Sequence, residues 1–408
     1  MTRLGRTFIP RRRWDRILLA VGAASAPLRL GLLHVAAMIF AGIGVYISFA
    51  RHNTARLFGN RFYVWAMAYV AWSMGLMVFR GELSIGNRQV LYSLFFGYLV
   101  FIGPGMVLVR DPLRVFVLAS RAAVLVSLAP FVIFLWDAAD RFGIGGNSAT
   151  FGFIMAMSAL ASAITVRNAP KWLPNGPWFL LIGLIPILAS ETRAVLVIAA
   201  AAAIVEAFIA SQRLTAWPRR AVQAAIVACA AALLFAGPVH NLVKSRFVSL
   251  YTQYFERSEG EQSLNTRLAM WDAAGRVIVG SPLTGVGAAK MTALTEAAPE
   301  HKAFFVGFRH VHNFILDELL GQGLVGLTLL LGTMASFGVY VFRHNSWPSA
   351  KRNIVYFFIM LTSYGLFHNP FLHESTISAI FLYLGVMNAQ ASRAQMAQRR
   401  EKALAPAP

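Results

Sequence analysis

Two arginines and a histidine carry the first chemical signal in this chain: Arg193 and His312 stand at the edges of apolar runs, and Arg267 lies in the one long polar interruption between such runs. Arg193 follows Ser190-Glu191-Thr192 and opens such a run. A Ser190 or Thr192 cap would leave the first amides of that helix, and the positive end of its dipole, beside the guanidinium. That pairing suits phosphate, which a guanidinium grips through two parallel bonds. An arginine snorkelling to a membrane interface is the plainer alternative. Arg267 stands four residues before Trp271, so the two share a helix face. An interfacial amphipathic helix with a cation–π pair accounts for them as well. His312 closes Arg309-His310-Val311-His312-Asn313, just ahead of another apolar run. A neutral imidazole, with its ordinary pKa of about 6.5, can take a proton from a hydroxyl near neutrality. Asn313 is expected to cap the following helix and so aim His312. Asp317, one turn on, would reinforce that geometry, and His310 is expected to point elsewhere. The two histidines have no acidic or cysteine partner at a recognisable ligand spacing, so no metal site is expected.

These residues need a scaffold, and composition names it. The chain has 408 residues, 57% hydrophobic and 13% charged, with mean hydropathy +0.59; soluble domains carry about 25% charged residues. Apolar runs of membrane-spanning length recur throughout, the mark of an all-α polytopic membrane protein. Twelve transmembrane helices are expected, over approximately 15–28, 30–50, 62–79, 90–109, 114–135, 149–166, 177–190, 193–210, 220–240, 313–342, 353–369 and 372–389. The whole chain reads as a single integral membrane domain. Its one long interruption, 241–312, holds short helices and part of the candidate active site. The net charge of +20 does not imply nucleic acid, because the basic residues sit in short loops between apolar runs. Alternate loops and the two ends hold 23 of the 37 basic residues against three acids, Asp15, Asp111 and Glu401. This asymmetry puts both termini in the cytoplasm and the long loop outside. No cleavable signal peptide is expected after Arg11-Arg12-Arg13, and a lone cysteine, Cys229, excludes a disulfide framework.

Other polar residues fall on the outer side. Arg80 and Arg88 flank an outer loop and could meet an anionic lipid head. His368-Asn369-Pro370 and His373-Glu374 could line the same cavity or satisfy a tight turn. Pro282 ends the Arg267 helix, and Gly285 and Gly287 supply a tight turn. Arg121 and Glu206 fall inside spans, where charge is costly; mutual pairing or snorkelling is expected.

Taken in order, several short motifs resemble the O-antigen ligase and polymerase superfamily of bacterial inner-membrane glycosyltransferases. They are Gly146-Asn147-Ser148-Ala149-Thr150, Ser190-Glu191-Thr192-Arg193-Ala194, Arg267 with Trp271, Pro282-x-x-Gly285-x-Gly287, and His312-Asn313 followed by Gly321-x-Gly323-x-x-Gly326. The resemblance spans about residues 85–330. It implies transfer of a glycan from undecaprenyl pyrophosphate to an acceptor hydroxyl on the periplasmic face of the inner membrane, with no metal and no cofactor. By that resemblance Arg193 and Arg267 hold the pyrophosphate and His312 serves the acceptor. Arg80, Arg88, His310, Asn313, Trp271 and His368 complete the substrate-binding set. Displacement at the anomeric carbon would invert it. Ligation to lipid A–core leads, with O-antigen or exopolysaccharide polymerase behind it. A lipid flippase or transporter would instead predict repeat symmetry and matched broken helices, neither of which the sequence displays.

Overall fold

The computed structural model describes residues 14–28, 30–49, 60–84, 87–134, 142–145, 147–235, 262–305 and 307–404. Arg3 to Arg13, Arg51, Arg56, Asp137, Asp140, Gly146, residues 241–261 of the long loop and the end of the ninth expected span lie outside those residues. The described residues are all-helical. The helices are α1 (Trp14–Ala24), α2 (Leu32–Phe49), α3 (Arg61–Phe79), α4 (Arg88–Leu99), α5 (Ile102–Met106), α6 (Pro112–Phe134), α7 (Ser148–Ser162) and α8 (Trp178–Ala189). They continue with α9 (Arg193–Ser211), α10 (Ala216–Phe235), α11 (Gln262–Gly280), α12 (Lys290–Ala297), α13 (Lys302–Phe305), α14 (Phe314–His344), α15 (Pro348–Gly365) and α16 (Glu374–Leu404).

Twelve transmembrane helices were expected, and the described residues bear out the helical class. Six segments meet the length and apolarity of a membrane crossing on their described residues: Leu32–Phe49, Arg61–Phe79, Arg88–Met106, Pro112–Ile133, Arg193–Ser211 and Phe314–His344. Helices α7 and α8 are apolar but shorter. Exposed Val35, Met38 and Ile39 on α2 and Val197, Ile204 and Val205 on α9 leave apolar faces that a bilayer would cover. The chain is a multi-pass membrane protein.

The main core packs α14 along α3 and gathers aromatic edges, with Phe62 5.1 Å from Phe337 and Phe96 4.8 Å from Phe381. Small residues let backbones touch where α2 meets α5: a Cβ on Gly44 would strike the Phe101 carbonyl, and one on Gly105 the Phe40 carbonyl. A second, smaller apolar cluster joins α11, α12 and α13 to the start of α14 through Met270, Ala274, Leu294, Phe305, Val311 and Leu320.

The two intramembrane charges do not pair with each other. Arg121 is fully buried and donates to the Ser162, Ile164 and Leu173 carbonyls and to Asn175 Oδ1, each at 2.9 Å. Its five donors are better satisfied by a fixed ring of carbonyls than by one carboxylate. Glu206 instead takes the Arg352 fork at 2.8 and 2.9 Å and the Tyr356 hydroxyl at 3.2 Å.

Helix α14 is where the fold departs most from regularity. Its 31 residues would run about 46 Å as one rod, but it breaks at Gly323, where φ is 70° and ψ −170°. The break strips backbone partners from an apolar helix, and a buried amide or carbonyl left without one is costly. The turn Ser281–Gly287 docks into the gap and supplies them. Val286 N donates to Leu320 O at 2.6 Å, Leu324 N to Pro282 O at 2.8 Å and Val325 N to Leu283 O at 3.4 Å. Arg80 Nη1 reaches Gly321 O at 3.2 Å, and Trp72 Nε1 reaches Gln322 O at 3.1 Å. The turn needs positive φ at Gly285 (66°) and Gly287 (71°). The two glycine motifs are therefore the two sides of one joint.

A side chain at Gly323 would meet both the strained backbone angle and the Leu283 carbonyl. Gly323→Ala is expected to destabilise the protein by about 1–3 kcal/mol, read as a lower Tm in detergent. Gly75→Ala in α3, where nothing lies within 4 Å, should leave Tm unchanged or slightly raised. Equal Tm values for the two variants would contradict the joint.

Candidate active site

The docked turn delivers the segment before α14 against α15 and α16. Asn313 caps α14, its Oδ1 accepting from Ile315 N at 3.0 Å and Leu316 N at 3.2 Å, as the sequence led one to expect. His312 just before it holds φ at 53°, a left-handed conformation that costs non-glycine residues energy and that clusters at functional sites. Glu191, two residues before Arg193, also has positive φ, at 52°.

The curl at His312 folds His310 back onto it. Their rings sit 4.4 Å apart rather than pointing away from each other. His373 lies 6.1 Å from His310, and His368 lies 6.0 Å from His312 while stacking on Tyr364 at 4.7 Å. His368 thus joins the cluster rather than merely closing a turn. His312 Nδ1 is buried without a hydrogen-bond partner.

Asp317 is the hub that holds this arrangement. Its Oδ1 accepts from Val311 N at 3.3 Å, and its Oδ2 from Lys290 Nζ and Asn369 Nδ2 at 2.7 and 2.8 Å. The Lys290–Asp317 pair is shielded, with side chains 12% and 3% exposed. One carboxylate thereby ties together α12, the histidine segment, α14 and the loop after α15. Trp271 on α11 donates its indole N–H to Val311 O at 2.9 Å, so α11 also grips the histidine segment and brings Arg267 to it. Arg267 is close enough for its charge to act on both His312 and His368.

Arg193 begins α9 and is half-buried. Thr192 is its N-cap residue, but no side-chain cap forms. The Thr192 hydroxyl donates instead to Ser148 O at 3.2 Å, and Ser190 Oγ lies 3.0 Å from it. Gly152 leaves room for both hydroxyls, which an added Cβ would meet at 2.5 Å. The two serine/threonine motifs of the sequence therefore interlock. Ser363 Oγ then binds Ala194 O at 2.9 Å, tying the start of α9 to the turn of α15 that carries Tyr364 and hence His368.

A cavity of about 690 Å³ opens beside the cluster, lined by Arg88, Lys290, Arg309, His310, His312, Asp317, His373 and Glu374 among others. Arg88 stands at its wall as the first residue of α4, behind the Asn87 cap. Arg80, Arg193, Arg267, Trp271, Asn313 and His368 do not line it. Arg80 is engaged by backbone: besides Gly321 O, its Nη2 donates to Thr284 O and Gly285 O, both at 2.7 Å. Sequence reasoning passed over Lys290, and over Tyr69, Glu318 and Gln322, which line the cavity further into the bundle. Glu318 left one signal, a second acid beside Asp317 at the head of an apolar run.

Burial dominates the electrostatics of the histidines. It drives His312 down to about 3, helped by His310 and Arg267, and drives His368 down to about 3, helped by Arg267 and His312. His310 falls to about 4 for the same first cause, with Asp317 pulling the other way. All three imidazoles are neutral at neutral pH.

Residues 178–331 match the family model described as O-antigen ligase. The matched stretch runs from α8 into α14 and contains Arg193, Arg267, the docked turn, the histidine pair and the Gly323 break. It supports the resemblance read from the motifs. The match covers 154 of the 408 residues and marks this stretch as similar to O-antigen ligases. No curated protein matches the chain.

The pH dependence follows from the sign of these shifts. The unfolded histidines titrate near 6.5, above the folded values, so on acidification the unfolded chain takes up protons first. The stabilisation is full above about pH 6.5 and is lost as pH falls from there through the folded values. Tm in detergent should therefore be lower at pH 5 than at pH 7.5. A His310→Gln/His312→Gln/His368→Gln variant should show a shallower drop, and identical drops would contradict neutral burial of these rings.

Proposed function

We propose that the protein transfers a glycan from undecaprenyl pyrophosphate to an acceptor hydroxyl at the periplasmic face, with lipid A–core as the acceptor. The observation that carries this reading is the buried, unpaired Nδ1 of His312, held by a strained backbone beside the charge of Arg267. With its proton on Nε2, that ring offers a lone pair to an incoming O–H. The acceptor oxygen loses its proton to His312 and attacks the anomeric carbon. The bond from that carbon to the pyrophosphate oxygen breaks, and its electron pair leaves with the pyrophosphate. Attack opposite the leaving group inverts the configuration.

Charge makes the base work. In the resting site His312 is a weak base because burial and neighbouring cations oppose a further positive charge. A bound pyrophosphate would reverse the sign of that field and favour the imidazolium. Arg193 and Arg267 would hold the pyrophosphate and meet the charge that grows on it, a type of stabilisation worth on the order of 10²–10³ in rate. Arg88, His310, His368, Asn313 and Trp271 position the substrates or the base, and Arg80 acts through the turn it holds. The long loop, 241–312, lies on the periplasmic side in this reading and both termini in the cytoplasm.

Purified protein assayed with lipid-linked donor and acceptor tests the assignment. His312→Ala should retain donor binding and lose about 10²–10⁴ in transfer. Arg193→Ala and Arg267→Ala should weaken both donor binding and turnover, and His310→Ala should cost less than His312→Ala. Near-normal turnover by His312→Ala removes it as the base. Transfer should also persist in excess chelator, and its loss there with rescue by magnesium would contradict the arginine assignment. In a deletion strain, free core beside unattached long glycan supports ligation, whereas core bearing one repeat unit means polymerisation.

A further inference from the structure

The cavity beside the histidines continues one and two turns into α14, where its lining changes character. Its outer wall carries Arg88, Lys290 and Arg309. Further in it is lined by Tyr69, Gln89, Ser93, Glu318 and Gln322. Two oxygens there are buried and lack any hydrogen-bond partner, Glu318 Oε1 and Gln322 Oε1. Gln322 is only 3% exposed, and its amide is oriented by its other end, since Nε2 donates to the Tyr69 hydroxyl at 3.1 Å. Helix α14 is bare between these side chains. A Cβ on Gly326 would meet Glu318 Oε1 at 3.4 Å, and one on Gly321 would meet Gln89 Nε2 at 3.3 Å.

Buried acceptors left unpaired are costly, so their presence in a cavity asks for a ligand that brings donors. A pyrophosphate brings none near neutral pH. A polyprenyl tail brings none at all. A sugar ring brings hydroxyl and N-acyl N–H donors.

We propose that Glu318 and Gln322, the latter oriented by Tyr69, form a glycan subsite that receives the hydroxyl or amide N–H groups of a sugar ring, while the pyrophosphate stays outside with Arg193 and Arg267. This rests on the glycosyltransferase reading above and adds a direction to it: sugar inward along α14, phosphate outward. The ring belongs either to the donor, next to the pyrophosphate, or to the acceptor. Neither residue is assigned a part in the bond-breaking step.

The test uses the purified full chain in detergent with two lipid probes, undecaprenyl pyrophosphate and undecaprenyl-pyrophosphoryl-N-acetylglucosamine. Wild type, Glu318→Gln and Gln322→Leu are compared for Kd and for KM and kcat in transfer. If the ring is the donor's, wild type binds the sugar-bearing lipid about tenfold or more tighter than the bare one. Each variant then loses most of that ratio while keeping its Kd for the bare lipid. If the ring is the acceptor's, the ratio is unchanged and the acceptor KM rises about tenfold with kcat retained. Variants that change neither quantity overturn the subsite. So do variants that bind the bare lipid more weakly to the same extent, because that places the pair at the phosphate or in the scaffold. Wild type that binds neither lipid and transfers nothing rejects the glycosyltransferase reading itself, and the subsite falls with it.

Discussion

Everything around the histidines depends on one exchange of backbone hydrogen bonds, between a broken helix and the turn that docks into it. Helix α14 is interrupted at Gly323, and the Ser281–Gly287 turn replaces the lost partners with its own backbone. An unpaired amide or carbonyl in hydrocarbon costs several kcal/mol, so the break persists only where the turn docks. The docked turn in turn locates the short helices α12 and α13, and with them the segment that carries His310 and His312. Arg80 completes the joint from α3 by bridging carbonyls on both sides of it, Gly321 on the helix and Thr284 and Gly285 on the turn. A local irregularity is thus converted into a fixed position for a side chain at the membrane surface.

The second constraint is electrostatic. A buried carboxylate must be paired or heavily hydrogen-bonded, and Asp317 draws Lys290, Asn369 and the Val311 amide onto itself. Because those three partners come from three segments besides α14 itself, satisfying one charge assembles the site. The same burial that makes Asp317 demanding keeps His310, His312 and His368 neutral. A cluster of neutral rings beside arginines is poised to respond to an arriving anion, since the imidazolium becomes favourable only once negative charge is present.

Much of this was legible in the sequence, and the limits have physical causes. The helical membrane class followed from apolar runs, and the Asn313 cap from a local rule of helix starts. Arg193 and His312 stood out because a charged or titratable group at the edge of an apolar run needs a reason, and Arg267 because Trp271 shares its helix face inside the long loop. Gly285 and Gly287 were visible as a turn signal and Gly321-x-Gly323-x-x-Gly326 as a motif, but that they form one joint was not, because long-range backbone pairing leaves no local pattern. For the same reason the partners of Arg121 and Glu206 were misjudged: a buried guanidinium surrounded by carbonyls from α7 and the loop after it looks, in one dimension, like a charge awaiting an acid. His310 was expected to point elsewhere, and the left-handed turn at His312 that brings the two rings together is a tertiary imposition. The inner acceptors Glu318 and Gln322 were hidden within an apolar run whose hydropathy they barely disturb.

The account stands or falls on where the pyrophosphate binds. The direct measurement is a cryo-electron microscopy structure of the purified protein with undecaprenyl pyrophosphate. The account predicts phosphate density within hydrogen-bonding distance of the Arg193 and Arg267 guanidinium groups, facing the His312 ring. Phosphate density in the other large cavity, the one of about 870 Å³ lined by Arg61, Arg343 and His344, with none near His312, would contradict it.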